Sequence, residues 1–290
     1  MKYQVLAVIS LCMQAFCLGA HGDLRNMKFP IAEEIRRDVD ARLTGSDACR
    51  ALSRYVDYVA NGEHGVFIEN PDFWAKGIDF SCVSPWNSHG RQCRAGTAVS
   101  ARHVVFAHHF PIQVGAYITF VDNDGRTVKR RLDNVKRVGD SDLAVGLLDV
   151  DLPKTVKPAY VLPKDFTNYV GYANAFPVVV FDQEEKALIR EIPSVYRVAS
   201  AVQSLRKPKG ELRRRFYEKI MEGDCGDPAF LVVRGGVILL ATIDSVTGAS
   251  PSVFVLREGV QRAMDELMPG YRLKEYPFAE YYRQGRELRP

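Results

Sequence analysis

An all-β fold with helices near its two ends is what this sequence predicts. Three observations carry the prediction. From Gly96 onward the chain breaks into short runs rich in Val, Ile, Leu and Phe, separated by turn residues. Many such runs at turn-length spacing make a barrel or a sandwich. Two pairs of runs flank dipeptides that accept positive φ, Asp124-Gly125 and Gly235-Gly236, which mark tight hairpins. Apolar residues at three-to-four spacing, the mark of helices, occur before residue 62 and again near the C-terminus.

In chain order, residues 1–20 read as a signal peptide. Lys2 gives a positive start, "VLAVISLCMQAFCLGA" is apolar, and Gly19-Ala20 offers a cleavage point before His21. The run is shorter than the ~20 residues a membrane span needs, so no stable membrane anchor is expected after cleavage. Residues 21–90 read as a helical N-terminal extension. "FPIAEEIRRDVDARL" sets Ile31, Ile35 and Val39 four apart, as a helix packed on the main domain or as an inhibitory prosegment. "SDACRALSRYVDYVANG" continues as helix, with a Ser46 cap, Leu52, Tyr55, Val56 and Val59 on one face, and an Asn61-Gly62 stop. "YITFV", "TVKRRL", "LAVGLLDV", "FPVVVF", "KALIREI", "FLVV", "VILLATI" and "SVFVL" are predicted strands. "REGVQRAMDELMPG" is a helix with Val260, Met264 and Leu267 on one face and Gly270 as its stop. The tail, 271–290, is polar and aromatic and is expected to pack loosely on the surface.

The chain has 290 residues, 47% of them hydrophobic, enough for one large all-β domain or two small ones. Lys+Arg is 39 and Asp+Glu 35, a net charge of +4, and no basic stripe carries interleaved aromatics. A nucleic-acid partner is not expected. Export, to the medium or the periplasm, permits disulfides. Without the signal, the cysteines are Cys49, Cys82, Cys93 and Cys225. Cys82 and Cys93 flank the loop "VSPWNSHGRQ" and form the expected pair, though spacing alone does not fix connectivity.

Three motifs carry chemistry, in this order: "GTAVSARHVVFAHHF" at 96–110, "DSDLAVGLL" at 140–148, and "GDCGDP" at 223–228. A histidine, a carboxylate and a thiol on a glycine-flanked loop supply a base, its orienting group and a nucleophile. Glycines at 223 and 226 let the backbone turn sharply with its N–H groups exposed. His103, His108, His109 and Cys225 have the types of metal ligands but no recognised ligand spacing, so neither metal nor cofactor is expected.

Over residues 94–268 these motifs resemble the trypsin-like (chymotrypsin-fold) peptidases. "GTAVSARHVVFAHHF" runs without a gap along that family's "GTLVSPRHVLTAAHC", "DLAVGLL" along "DIALLKL", and "GDCGDP" along "GDSGGP". The resemblance implies two packed six-stranded antiparallel barrels over 91–270, with a C-terminal helix. It implies His109 as general base, Asp142 as its orienter and Cys225 as nucleophile, with the Gly223 and Cys225 N–H groups as the oxyanion hole. His108 then falls where the family has alanine. The substrate would be a peptide or protein, cleaved through an acyl-enzyme.

The chain departs from the family at several points. Phe110 replaces the cysteine after the histidine, no "IVGG"-like segment precedes the histidine motif, and Asp227 replaces a glycine beside the nucleophile. The pocket-floor position, six residues before the nucleophile, holds Lys219, against cleavage after Arg or Lys. Asp244, Ser245 and Val246 are the expected pocket walls. The basic run "LRKPKGELRRRFYEK" at 205–219 reads as a solvated loop or as a patch that attracts acidic substrates. The rival to an enzyme is a catalytically silent peptidase fold used as a binding module.

Overall fold

The computed structural model describes residues 31–61, 64–84, 94–170, 174–194, 202–244 and 249–280. The expected signal peptide, Cys93, Ser245 and Val246 lie outside them.

The described chain is mostly β. Its first sheet comprises β3 (Val83–Ser84), β4 (Gly96–Ala98), β5 (His103–Ala107), β6 (Tyr117–Val121), β7 (Thr127–Arg137) and β8 (Leu143–Leu148). They lie in the order β3-β4-β5-β8-β7-β6, every pair antiparallel, and the sheet curls into a nearly closed barrel. Strands β5 and β8 are buried along their whole length, as their unbroken apolar runs require. Gly146 makes the closure possible: a Cβ there would lie 2.5 Å from Leu132 Cδ1 and 2.9 Å from the Phe106 ring.

A second, four-stranded sheet contains β9 (Asn174–Phe181), β10 (Ala187–Ser194), β12 (Pro228–Val233) and β13 (Gly236–Thr242), in the order β10-β9-β12-β13. A two-stranded piece, β11 (Val202–Ser204) with β14 (Ala249–Pro251), touches both its edges. Isolated bridges join Glu191 of β10 to Arg206 and Ala241 of β13 to Ser252. Phe80 packs at 4.9 Å from Phe181 and 6.0 Å from Phe230, where the first core meets the second sheet.

Helix α1 (Ile31–Leu43) forms as the spacing predicts, and its apolar face serves both cores. Ile31, Ala32 and Ile35 enter the cluster of the second sheet, whereas Val39 and Leu43 enter that of the first. Asp40 on the same helix accepts two hydrogen bonds from Arg213, at 2.6 and 2.9 Å. Arg213 also reaches Glu191 of β10 at 3.0 Å. Arg213 and Phe216 are buried, so the basic run 205–219 is only partly solvated.

The structure corrects the sequence reading in four places. The second predicted helix shrinks to Ala48–Ala51 (α2), capped by Asp47 and not Ser46. Tyr55–Asn61 is a strand, β1, paired with β2 (His64–Glu69). Val56 and Val59 are exposed, so their spacing reports no buried helical face, and β-branched side chains fit a pleated strand. After two four-residue helices, α3 (Thr167–Val170) and α4 (Glu211–Arg214), the predicted strand "SVFVL" instead opens α5 (Val253–Leu267). There Ser252 caps the helix, its Oγ accepting from the Val255 N–H at 3.3 Å, while Val253, Val260 and Met264 face the core. A short apolar run does not distinguish a strand from a buried helical turn. The tail is anchored: Tyr276 and Phe278 are buried, and the Tyr276 N–H donates to Val161 O at 3.0 Å. Aromatic surface supplies the driving force that its polar neighbours hide in the sequence.

Candidate active site

Strand register brings the histidine and aspartate motifs together. Ala107 of β5 stands opposite Leu143 of β8. One step further, the His108 N–H donates to Asp142 O at 3.0 Å. The next residue, His109, then meets the Asp142 side chain. Its backbone N–H donates to Oδ1 at 2.8 Å and its Nδ1 lies 2.5 Å from Oδ2. One carboxylate thus fixes both the position and the ring orientation of His109. The His109 ring is half exposed at 45%, which leaves it accessible to an incoming group. The Nδ1 of His108, by contrast, is buried without a hydrogen-bond partner among the described residues.

The glycine-flanked loop packs against the end of β5. A Cβ at Gly226 would lie 3.0 Å from Ala95 O and 3.6 Å from Ala107 N. Gly226 has φ +95° and Gly223 +108°, a region that side-chain-bearing residues rarely enter. The Gly226 N–H donates to Ile243 O and the Ile243 N–H to Asp227 O, both at 2.8 Å, which tie the loop to the strand end after β13. The N–H groups of Asp224 and Asp227 are spent inside the loop, on Met221 O and Asp224 O. Those of Gly223 and Cys225 have no acceptor among the described residues. They are the two donors the sequence motif designates.

Cys225 is half-buried, its Sγ 3.9 Å from Asp244 O. Burial, then the charges of Asp224, Asp227, Asp142 and Asp244, push its thiol above the ordinary range. Asp142 is thus close enough to Cys225 for its charge to act on the thiol. Burial and these carboxylates together disfavour a resting thiolate.

Asp224 has a role that no motif announced. Its buried carboxylate accepts the Met221 N–H at 2.7 Å and the Gln183 N–H at 3.2 Å. Gln183 belongs to the β9–β10 turn, and its Nε2 donates to Glu222 O at 3.0 Å. The turn therefore holds the loop from behind by hydrogen bonds internal to the chain. Gln183 has no sequence signal, because its partners lie some forty residues away.

The remaining designated residues are spread out. Asp244 follows β13 beside Cys225, whereas Lys219 is exposed and lines a separate cleft at the base of the loop. Phe110 faces Arg94, whose guanidinium lies 4.7 Å from the ring centroid. Cys82, fully buried in the first core, and Cys49, exposed, have no disulfide partner among the described residues, and Cys93, the expected partner of Cys82, lies outside them. His103 is buried beneath α5, with Ser100 Oγ 2.9 Å from its Nδ1. No family model matches the chain, and no curated protein matches it at a significant level.

Proposed function

We propose that the chain is an exported endopeptidase of the chymotrypsin fold that cleaves peptide bonds through an acyl-enzyme on Cys225. One observation carries the reading: the glycine loop that carries Cys225 packs against the end of β5, next to which Asp142 orients His109, and it offers two N–H groups with no acceptor among the described residues. The bridges that link the second sheet to β11 and β14 support a second six-strand ring, as that fold requires.

The chemistry follows from the atoms. With the Nδ1 proton donated to Asp142, His109 Nε2 accepts the thiol proton as Sγ bonds to the carbonyl carbon. The carbonyl π electrons move onto oxygen, where the Gly223 and Cys225 N–H groups stabilise the charge. As the carbonyl re-forms, the C–N bond breaks and the amine leaves with the proton held on Nε2. Water, activated by the same base, then hydrolyses the thioester. Asp224 and Gln183 fix the loop without a newly cut N-terminus.

A second reading, a silent binding module, is favoured by the burial and the neighbouring carboxylates that raise the Cys225 thiol. The test is turnover of a diverse quenched-fluorescence peptide library by the purified chain and by Cys225→Ala, with and without thiol alkylation. Turnover lost in both the variant and the alkylated parent supports the peptidase. An inert parent with an intact melt favours the silent module.

A further inference from the structure

A cleft of about 520 Å³ opens at the base of the nucleophile loop, and its lining is cationic. Arg190, Arg206, Lys207 and Lys219 line it, with Tyr217 and Ser204 between them and no acidic side chain among the lining residues. The volume is that of a small-ligand pocket. Arg190 is the buried member, 4% exposed. Its two terminal nitrogens donate to Leu205 O at 3.2 Å and Glu218 O at 3.1 Å, and its side chain also hydrogen-bonds Tyr217, but its Nε is buried with no hydrogen-bond partner among the described residues. An unsatisfied charged donor away from water is costly unless something arrives to pair with it.

The surrounding cations share one aromatic ring. Arg190 lies 4.9 Å and Lys207 5.3 Å from the centroid of Tyr217. A ring face offsets part of a cation's charge, less than an anion does. The cleft adjoins the chemistry through the chain itself. From Lys219, six residues lead to Cys225, and within them the Met221 N–H is bound by Asp224. Six residues span at most roughly 20 Å. Arg190 also stands close enough to Asp224 for each to act on the other's charge.

We propose that this cleft receives the carboxylate of a glutamate or aspartate side chain of the substrate, with Lys219 and Arg206 as the mobile contacts and Arg190 as the fixed one. The assignment of that peptide as a substrate rests on the peptidase reading; the carboxylate site itself does not.

The test uses the full chain carrying Cys225→Ala, so that binding is read without turnover. Labelled peptides that differ only in Glu against Gln, scanned through each position, are titrated by fluorescence anisotropy. The same pairs are assayed for turnover by the parent. One position is expected to favour Glu by about tenfold or more, as a charge-assisted hydrogen bond supports. Lys219→Gln and Arg206→Gln, both at exposed residues, are expected to bring that ratio towards one without moving the melting temperature. Equal binding of Glu and Gln peptides at every position overturns the inference. Turnover without acidic preference also overturns it and leaves the peptidase standing. A Lys219-dependent preference in binding, with a parent that cleaves nothing, upholds the site and removes the peptidase reading.

Discussion

Gly226→Ala tests the contact on which the whole site depends. At φ +95° a methyl-bearing residue is strained, at about 2 kcal/mol. The added Cβ would also press on Ala95 O at 3.0 Å, a backbone atom at the entry to β4. Moving it adds about 1 kcal/mol, the low end of overpacking costs. The sum, about 3 kcal/mol, lowers the melting temperature by about 6–12 °C for a chain of this size. Gly139→Ala is the control. Gly139 has φ +54°, and nothing lies within 4 Å of its added Cβ, so only the backbone cost of about 1 kcal/mol applies. Its melt should fall by about 2–4 °C. Both variants are measured by thermal denaturation beside the parent, together with the rate of Cys225 alkylation. A Gly226→Ala melt no lower than that of Gly139→Ala would refute the packing of the loop on β5, and with it the alignment of Cys225 and His109.

Three further outcomes are expected. His109→Ala should reduce peptide turnover by about 10²–10⁴-fold, the contribution of a positioned base, whereas His108→Ala should leave turnover within a few-fold of the parent; the reverse pattern transfers the role to His108. The raised thiol of Cys225 should make iodoacetamide labelling slow at neutral pH and still rising above pH 8.5, where an ordinary thiol is half ionised. Asp227→Asn should speed it at pH 7.5, and a plateau below pH 8, read by mass spectrometry, contradicts this. Burial pushes the Glu185 carboxyl up to about 8, with Arg54 opposing and Asp182 adding. Between the ordinary carboxylate range and about pH 8 the unfolded chain releases a proton that the folded chain keeps, so stability falls as pH rises through that window. The melting temperature should drop from pH 5 to pH 8, and Glu185→Gln should flatten the drop.

What the sequence disclosed follows from how local each signal is. The continuous apolar run of β8 declared itself as a strand, whereas β5 lay unread within the histidine motif; the two motifs at their ends coincide because antiparallel register carries Ala107 opposite Leu143. Helix α1 declared itself through a four-residue repeat whose every member is buried. The β1–β2 hairpin did not, since Val56 and Val59 mimic a helical face while pointing to solvent. The start of α5 depended on one serine side chain that caps a run otherwise readable as a strand. The grip of Gln183 on Glu222 and the gathering of Arg190, Arg206 and Lys219 join residues far apart along the chain, and no local pattern records them.

The two allegiances of α1 bear on how the chain can mature. One end of the helix is embedded in one core and the other end in the other, with Asp40 gripping Arg213 between them. A segment that is cut off and discarded on activation must leave a finished molecule behind. Here its departure would strip both cores of the contacts that Ile31, Ile35, Val39 and Leu43 make, and would take two hydrogen bonds from the Arg213 guanidinium. The packing therefore favours the reading in which this helix is a cap on the main domain over the reading in which it is an inhibitory prosegment.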